Sequence, residues 1–510
     1  MKKALVLLSS CTLYFSSFSQ EPADALRYSW NVQGGTARAQ AIGGAMGSLG
    51  GDITSTFVNP AGLAFYKTGD FVLTPLYTFQ NTKGTYYGRT EAEKTNRLML
   101  GTSGFVKGSS VNGKNIRSAA FSIAVNRSAD FNGDILYRGE NNQSSFSQQY
   151  VEELNNSGIR DNRAETDFPF GSSLAYNTYW IDATKNGAGE IENYYSNAPV
   201  ATGLLQQRSV KNRGGVTELA IGFAANSNDK LFFGGTIGVP FLNYHRETEF
   251  LEADATESTS NNLNYGLFKD DLSTSGIGLN LKAGLIYKPA EFWRLGLAVH
   301  SPTLYSLTEN YSAQITTDND QDTWTDESIS YMDNQSSEFK YMLVTPYKVI
   351  GSVSYVLREI EDVTKQRGFI TADVEFVNYK ASSFLPDPDS YNREDDEDYL
   401  KSLNSAIDKA YKSAVNFRLG GELKFNVLMV RLGAAYYSNP YKDIHGEKGD
   451  KLNLSGGLGY RNKGFFADLT YVHAMNKDVN FAYRLENAPY SGANIRNTAG
   501  NVVATLGFKF

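Results

Sequence analysis

Beyond Asp70 the chain is built of segments that alternate, residue by residue, between apolar side chains and small, polar or charged ones. In "GIGLNLKAGLIYKP", Ile277, Leu279, Leu281, Ala283, Leu285 and Tyr287 fall on one side. Gly278, Asn280, Lys282, Gly284 and Ile286 fall on the other. "FWRLGLAVH" (292–300), "VNFRLGGELKF" (415–425) and "LMVRLGAAYY" (428–437) follow the same rule, with Arg294, Arg418, Glu422 and Arg431 in mid-segment. A period of two marks strands whose faces meet different surroundings. Two architectures satisfy it. A soluble sandwich packs its apolar face on a second sheet and turns its charges to water. A transmembrane barrel turns the apolar face to lipid and the charges to its lumen.

The connections and the chain ends separate the two. Fourteen strands fit the pattern, from 71–81, 95–106 and 116–137 through to 463–474 and 500–510. Short connections (226–230, 289–292, 461–464) alternate with long ones (82–94, 138–214, 245–272, 305–336, 381–412, 440–449, 475–499). An even strand count with short turns at one end and long loops at the other is the barrel pattern of the bacterial outer membrane. "MKKALVLLSSCTLYFSSFSQ" opens the chain with two lysines, an apolar stretch and a small-residue cleavage site. It reads as an export signal over 1–19. The final "VVATLGFKF" puts Val502, Ala504, Leu506, Phe508 and Phe510 on one face, an ending similar to the last strand of outer-membrane barrels.

Composition agrees with this reading. There are 32 Tyr, 30 Phe and 47 Gly but only 13 Pro, and the single cysteine, Cys11, lies in the signal. A mature chain without cysteine has no disulfide framework. The formal charge is −7, and removing the signal's two lysines leaves −9, with no basic block, which argues against nucleic acid. The fold class expected is therefore all-β. It is a transmembrane antiparallel β-barrel of about fourteen strands, multi-pass in the outer membrane, a monomer with membrane lipid as its surroundings. The barrel spans 70–510, with long extracellular loops at 138–214, 305–336 and 381–412.

A barrel this wide cannot fill its lumen with wall side chains. Residues 20–69 do not alternate. "TARAQAIGGAMGSLGGDITS" is small and partly helical, and Pro60 stops any helix at Asn59. The segment is read as a plug, or hatch, inside the lumen, with Asn59, Pro60, Ala61, Gly62 and Leu63 forming the turn into the first strand. These residues carry a resemblance. "GTARAQAIGGAMGSLGGD" and "NPAGLA", followed in order by "GLIYKPAEFWRLGLAVHSP", "NFRLGGELKF", "RLGAAYYSNPYKD" and "GLGYRNKGFFADLTYVH", resemble the long-chain fatty-acid transporter family of outer-membrane barrels, the FadL/TodX type. That resemblance implies a hatch-plugged barrel. It also implies that hydrophobic small-molecule ligands such as long-chain fatty acids move from an outer groove to the lumen and leave sideways through the wall. The insertion at 138–214 and the acidic loops depart from the family pattern.

Two clusters are candidates for ligand contact. Phe168, Phe170, Tyr176, Tyr179 and Trp180 crowd one outer loop, and they either line an apolar groove or pack the loop on itself. Lys282, Arg294, Arg418 and Arg431 face the lumen, where they either anchor an anionic head group or belong to a charge ladder that stiffens the wall. Asp318, Asp320 and Asp322 are spaced like calcium-loop ligands. Thr323 stands where the glycine belongs and Ile329 where the closing glutamate belongs, so no EF-hand is read. His245, His300, His445 and His473 are scattered, and no catalytic, metal or cofactor motif is present. The expectation is a non-enzymatic transporter; the rival is a barrel that serves only as scaffold or adaptor in a secretion or assembly machine.

Overall fold

The alternating segments pair in sequence order and close on themselves. Fourteen antiparallel strands form the barrel of the computed structural model. The structure describes residues 22–30, 34–111, 113, 115–256, 258, 262–319, 322–357, 367–390, 393–442 and 449–510. The segment read as a signal (1–19) and Asp320 lie outside the described residues. The strands are β1 (Gly69–Leu73 and Pro75–Tyr86), β2 (Arg89–Leu100 and Ser103–Ser110), β3 (Ile116–Asp130 and Gly133–Asn141), β4 (Leu204–Ser227) and β5 (Leu231–Asp254). They continue as β6 (Tyr265–Ala290), β7 (Trp293–His300 and Leu304–Asp318), β8 (Ser337–Val344 and Lys348–Leu357), β9 (Gly368–Asn378) and β10 (Ser413–Phe425). Last come β11 (Leu428–Tyr437), β12 (Lys451–Asn462), β13 (Phe465–Asn480) and β14 (Ala493–Lys509). β14 pairs with β1, Phe508 opposite Phe71 and Val503 opposite Leu76, and Lys509 Nζ meets Asp70 Oδ1 at 2.7 Å across that closure.

Tight turns follow from local chemistry. Asn228 and Asp229 both take φ near 56°, and Lys463 and Gly464 take 45° and 86°, the left-handed pair that a two-residue hairpin needs. The same geometry corrects one expectation. Instead of a long loop over 82–94, the strands run on to Tyr86 and Arg89 and turn at Tyr87 (φ 43°) and Gly88 (φ 79°). Strands above the bilayer carry polar residues on both faces, so alternation fades there although the ladder continues. β4 and β5 have 24 residues each, about 80 Å at roughly 3.3 Å per residue, far more than the ~25 Å apolar band requires.

The outer face decides the solvent. Leu98 is 76 % exposed, Leu432 70 % and Leu281 55 %, among a continuous set of outward Leu, Val, Ile and Phe. Water does not tolerate an apolar surface of that extent, whereas lipid requires it. Phe71, Phe425 and Phe508 are exposed at the short-turn end of the wall, and Tyr77, Phe79 and Tyr471 are exposed further up it. The protein is a multi-pass outer-membrane barrel.

Inside lies the N-terminal segment: α1 (Pro22–Ser29), α2 (Ala37–Ala41), α3 (Ser55–Val58) and a 3-10 turn over Pro60–Phe65. Above the membrane, α4 (Gln148–Ser157), α5 (Ser172–Asn177) and a hairpin of Ile181–Lys185 with Ile191–Ser196 form a cap. α6 (Arg393–Ala410) packs Leu400, Leu403 and Ile407 into the cluster that also holds Ala25, Leu26 and Tyr28 of α1.

Candidate functional site

The hatch is seated by side-chain size and by its own capping residues. Thr36 caps α2, accepting from Ala39 N, and Ala37 N donates to Thr505 Oγ1 of β14 at 2.8 Å. Asn59 is fully buried. Its Oδ1 accepts from Ala61 N at 3.1 Å, capping the Pro60–Phe65 turn. Its Nδ2 donates to Gly47 O at 2.6 Å and faces the wall carbonyls of Leu285 (3.2 Å) and Leu297 (3.4 Å). Pro60, Ala61, Gly62 and Leu63 are buried behind it. The wall makes room with glycine. A Cβ on Gly284 would overlap Asn59 Oδ1, and one on Gly296 would overlap Gly47 O. Glycines that read in sequence as small residues on the lumen face are thus the floor on which the hatch rests.

Charge ties the same parts together. Arg431 Nε meets Glu422 Oε2 at 2.6 Å and its NH1 meets Asp468 Oδ1 at 2.5 Å, while Arg38 Nε of the hatch reaches Glu422 Oε2 at 3.4 Å. Arg294 NH1 donates to Leu49 O at 2.5 Å and its guanidinium lies over the Phe65 ring, 4.6 Å from the centroid. Lys282 pairs with Glu218, and Arg418 NH2 with Glu375 Oε1 at 2.9 Å. Asp373 Oδ2 accepts from Gly47 N at 3.0 Å. The structure therefore places Lys282, Arg294, Arg418 and Arg431 in a buried network of wall and hatch. Sequence reading missed Arg38, the hatch's link to that network. Its signal was a lone cation inside a run of small residues.

One stretch of wall is joined by side chains instead of backbone. Among the described residues, the upper half of β2 (Arg89–Leu100) pairs with β1 alone, and the upper half of β3 (Gly133–Asn141) with β4 alone. Below the breaks at 101–102 and 131–132 the ladder runs from β1 through β2 and β3 to β4. At the seam between the two upper halves, Arg138 Nε of upper β3 reaches Glu91 Oε1 of upper β2 at 2.5 Å, and Arg97 Nε of upper β2 reaches Asp130 Oδ2, the last residue of lower β3, at 2.7 Å, while Tyr137 of upper β3 packs on Tyr86 of β1 at 5.1 Å. At its base lies the hatch. Gly34 abuts Asn126 and Arg127, and Gly101 abuts Gly35. Side-chain contacts open at far less cost than a β-ladder, whose separated groups would be orphaned in lipid.

The aromatic loop builds the cap. Trp180 is fully buried against Phe146 (5.5 Å, stacked), and Phe168 and Phe170 join the same cluster. Tyr176 is half-buried, edge-on to Tyr194. Tyr179 is exposed and pairs with Trp324 at 5.1 Å, so these two rings face outward. Glu153 of α4 accepts from Ser172 of α5, and burial pushes its carboxyl above the ordinary range.

No protein-family model and no curated protein matches the chain. Solved structures do. A Pseudomonas aeruginosa FadL homologue aligns at a TM-score of 0.52 and 13 % identity, covering 94 % of this chain and 99 % of that one. A deltaS2 mutant of the TodX monoaromatic hydrocarbon channel aligns at 0.53 and 13 %, over 94 % and 100 %. The Ralstonia pickettii toluene transporter TbuX aligns at 0.50 and 14 %, over 94 % and 99 %. A likeness of this kind is one of fold: the chain shares, over nearly its whole length, the barrel fold of the FadL homologue, TodX and TbuX.

Proposed function

We propose that this protein moves hydrophobic small molecules across the outer membrane and releases them sideways through the β2–β3 seam. The observation that carries the reading is the placement of a wall stretch without backbone pairing directly beside the hatch. Apolar molecules gain about 25 cal/mol per Å2 by leaving water for an apolar surrounding. A path that opens into lipid spares them the aqueous space that a straight pore would impose. The substrate class includes monoaromatic hydrocarbons, which the TodX and TbuX structures are named for, beside the long-chain fatty acids that the sequence resemblance implies. The exposed Tyr179 and Trp324 rings on the cap offer a first apolar contact. One chain closes the whole barrel, so the path needs no second copy. The barrel strands and hatch supply binding and gating, with no chemical step.

The test is uptake of labelled toluene and labelled oleate in a strain lacking its own transporters of this kind. Uptake above the empty-vector rate for at least one of the two is expected. A rate equal to the vector for both, with the barrel correctly assembled, favours the scaffold reading. The dense network that holds the hatch is the observation on that side.

A further inference from the structure

The outer face of β13, β14, β1 and β2 changes character above Phe79 and Tyr471. Lys477 stands directly opposite Arg496, and Arg496 directly opposite Lys83. One row lower, Asn81 stands opposite Lys94. All four cations are exposed on the lipid-facing side of the wall, and none is paired with a carboxylate among the described residues. Like charges facing each other across strands repel. Three other cations of the rim face partners: Lys211 lies 3.7 Å from Glu247, Lys269 3.7 Å from Glu249, and Lys340 3.0 Å from Glu338. The row Lys477–Arg496–Lys83 differs from these pairs in setting cation against cation.

Its height fits a lipid headgroup. Arg496 lies twelve residues up β14 from Phe508, which is about 40 Å along the strand and about 30 Å along the membrane normal at the usual tilt. That is where the apolar band ends and headgroups begin. Three of the four, Lys83, Lys94 and Arg496, line a cleft of about 600 Å3 together with Phe79, Tyr471 and His473. The Phe79 ring lies over Gly500 and stacks near Tyr471 at 6.3 Å, giving the cleft an apolar floor on its membrane side.

We propose that this cleft seats the phosphorylated headgroup of an outer-leaflet lipid. The phosphate is held among Lys83, Lys94 and Arg496, with Lys477 adding to the field, and the lipid's apolar part lies on Phe79 and Tyr471. A phosphate removes the mutual repulsion of the row, and the aromatic floor selects a lipid over a soluble anion. The site lies on the outer face of the wall, and one of its cations, Lys94, stands on β2.

The probe is phosphatidic acid in mixed micelles with the full-length protein, read by native mass spectrometry and by the heat-unfolding midpoint. Phosphatidylcholine and inorganic phosphate serve as the comparison arms. Phosphatidic acid should stay bound and raise the midpoint, and neither comparison should. K83Q/K477Q/R496Q should weaken binding on the order of a hundred-fold, at about five-fold per cation lost, and K211Q should leave it unchanged. If the triple variant does not fold, K83Q and R496Q separately carry the test at about five-fold each. Equal binding by wild type and variants, or equal binding of phosphatidylcholine, overturns the proposal. Equal protection by inorganic phosphate overturns the lipid and leaves a soluble-anion site.

Discussion

Replacing Asn59 by alanine isolates the hold of the wall on the hatch. Asn59 caps the Pro60–Phe65 turn through Ala61 N and satisfies Gly47 O at 2.6 Å. Loss of the cap costs about 1 kcal/mol, and an orphaned buried carbonyl at Gly47 about 1–3 kcal/mol. Leu285 O and Leu297 O already belong to strands that pair through those residues, so they add little. The hatch should lose about 2–4 kcal/mol of protection against local opening, which at about 1.4 kcal/mol per decade is a thirty-fold to several-hundred-fold rise in the opening constant. Hydrogen exchange read by mass spectrometry, in detergent, reports it directly. Peptides from 36–65 should exchange faster by that factor, and peptides from 276–287 should not change. If the hatch peptides exchange as in the wild type, Asn59 does not hold the hatch. If all peptides accelerate together, hatch and wall open as one unit and the reasoning fails.

Other consequences are as direct. R431L leaves Glu422 and Asp468 buried without the cation that bridges them, and should lower barrel stability by about 3–5 kcal/mol in a urea titration. R431K should recover less than half of that, because an ammonium cannot reach both carboxylates in fixed geometry. G296V puts side-chain atoms where Gly47 O sits, so protease should cut within 36–65 while the heat-modifiable gel mobility of the barrel persists. Glu153 gives a pH dependence. Its folded carboxyl titrates above the unfolded one, so its contribution is complete below the unfolded value and is lost as pH rises through the folded value. Protease should therefore cut the cap over 148–177 faster at pH 7 than near pH 4, and E153Q should flatten that difference.

The strands were legible because lipid and lumen impose opposite demands on alternate residues, as in 276–288 and 428–437. Their upper ends were not, because above the band both faces of a strand such as 246–254 meet polar surroundings and the period disappears. The turn at Asn59-Pro60 could be read from proline's geometry, but its partners could not. Leu285 and Leu297 lie more than two hundred residues away, and the glycines beside them, Gly284 and Gly296, reveal only which face they occupy. Arg38 and Glu422 are 384 residues apart, and nothing local links them. The aromatic crowd at 168–180 left open whether it faced a ligand or itself. The packing of Trp180 on Phe146 depends on a strand neighbour, Phe250, that no local pattern identifies.

Sideways release requires the seam to open, and a reversible lock on it is the most direct measurement. Residues 97 and 130 face each other across the seam through their ion pair. R97C/D130C, joined by a short bismaleimide linker carrying a cleavable disulfide, fixes β2 to β3 without touching the hatch. Uptake of labelled toluene or oleate should fall to the vector rate on cross-linking and return on reduction, with barrel assembly unchanged throughout. Uptake that continues at the full rate through a locked seam would contradict the sideways path.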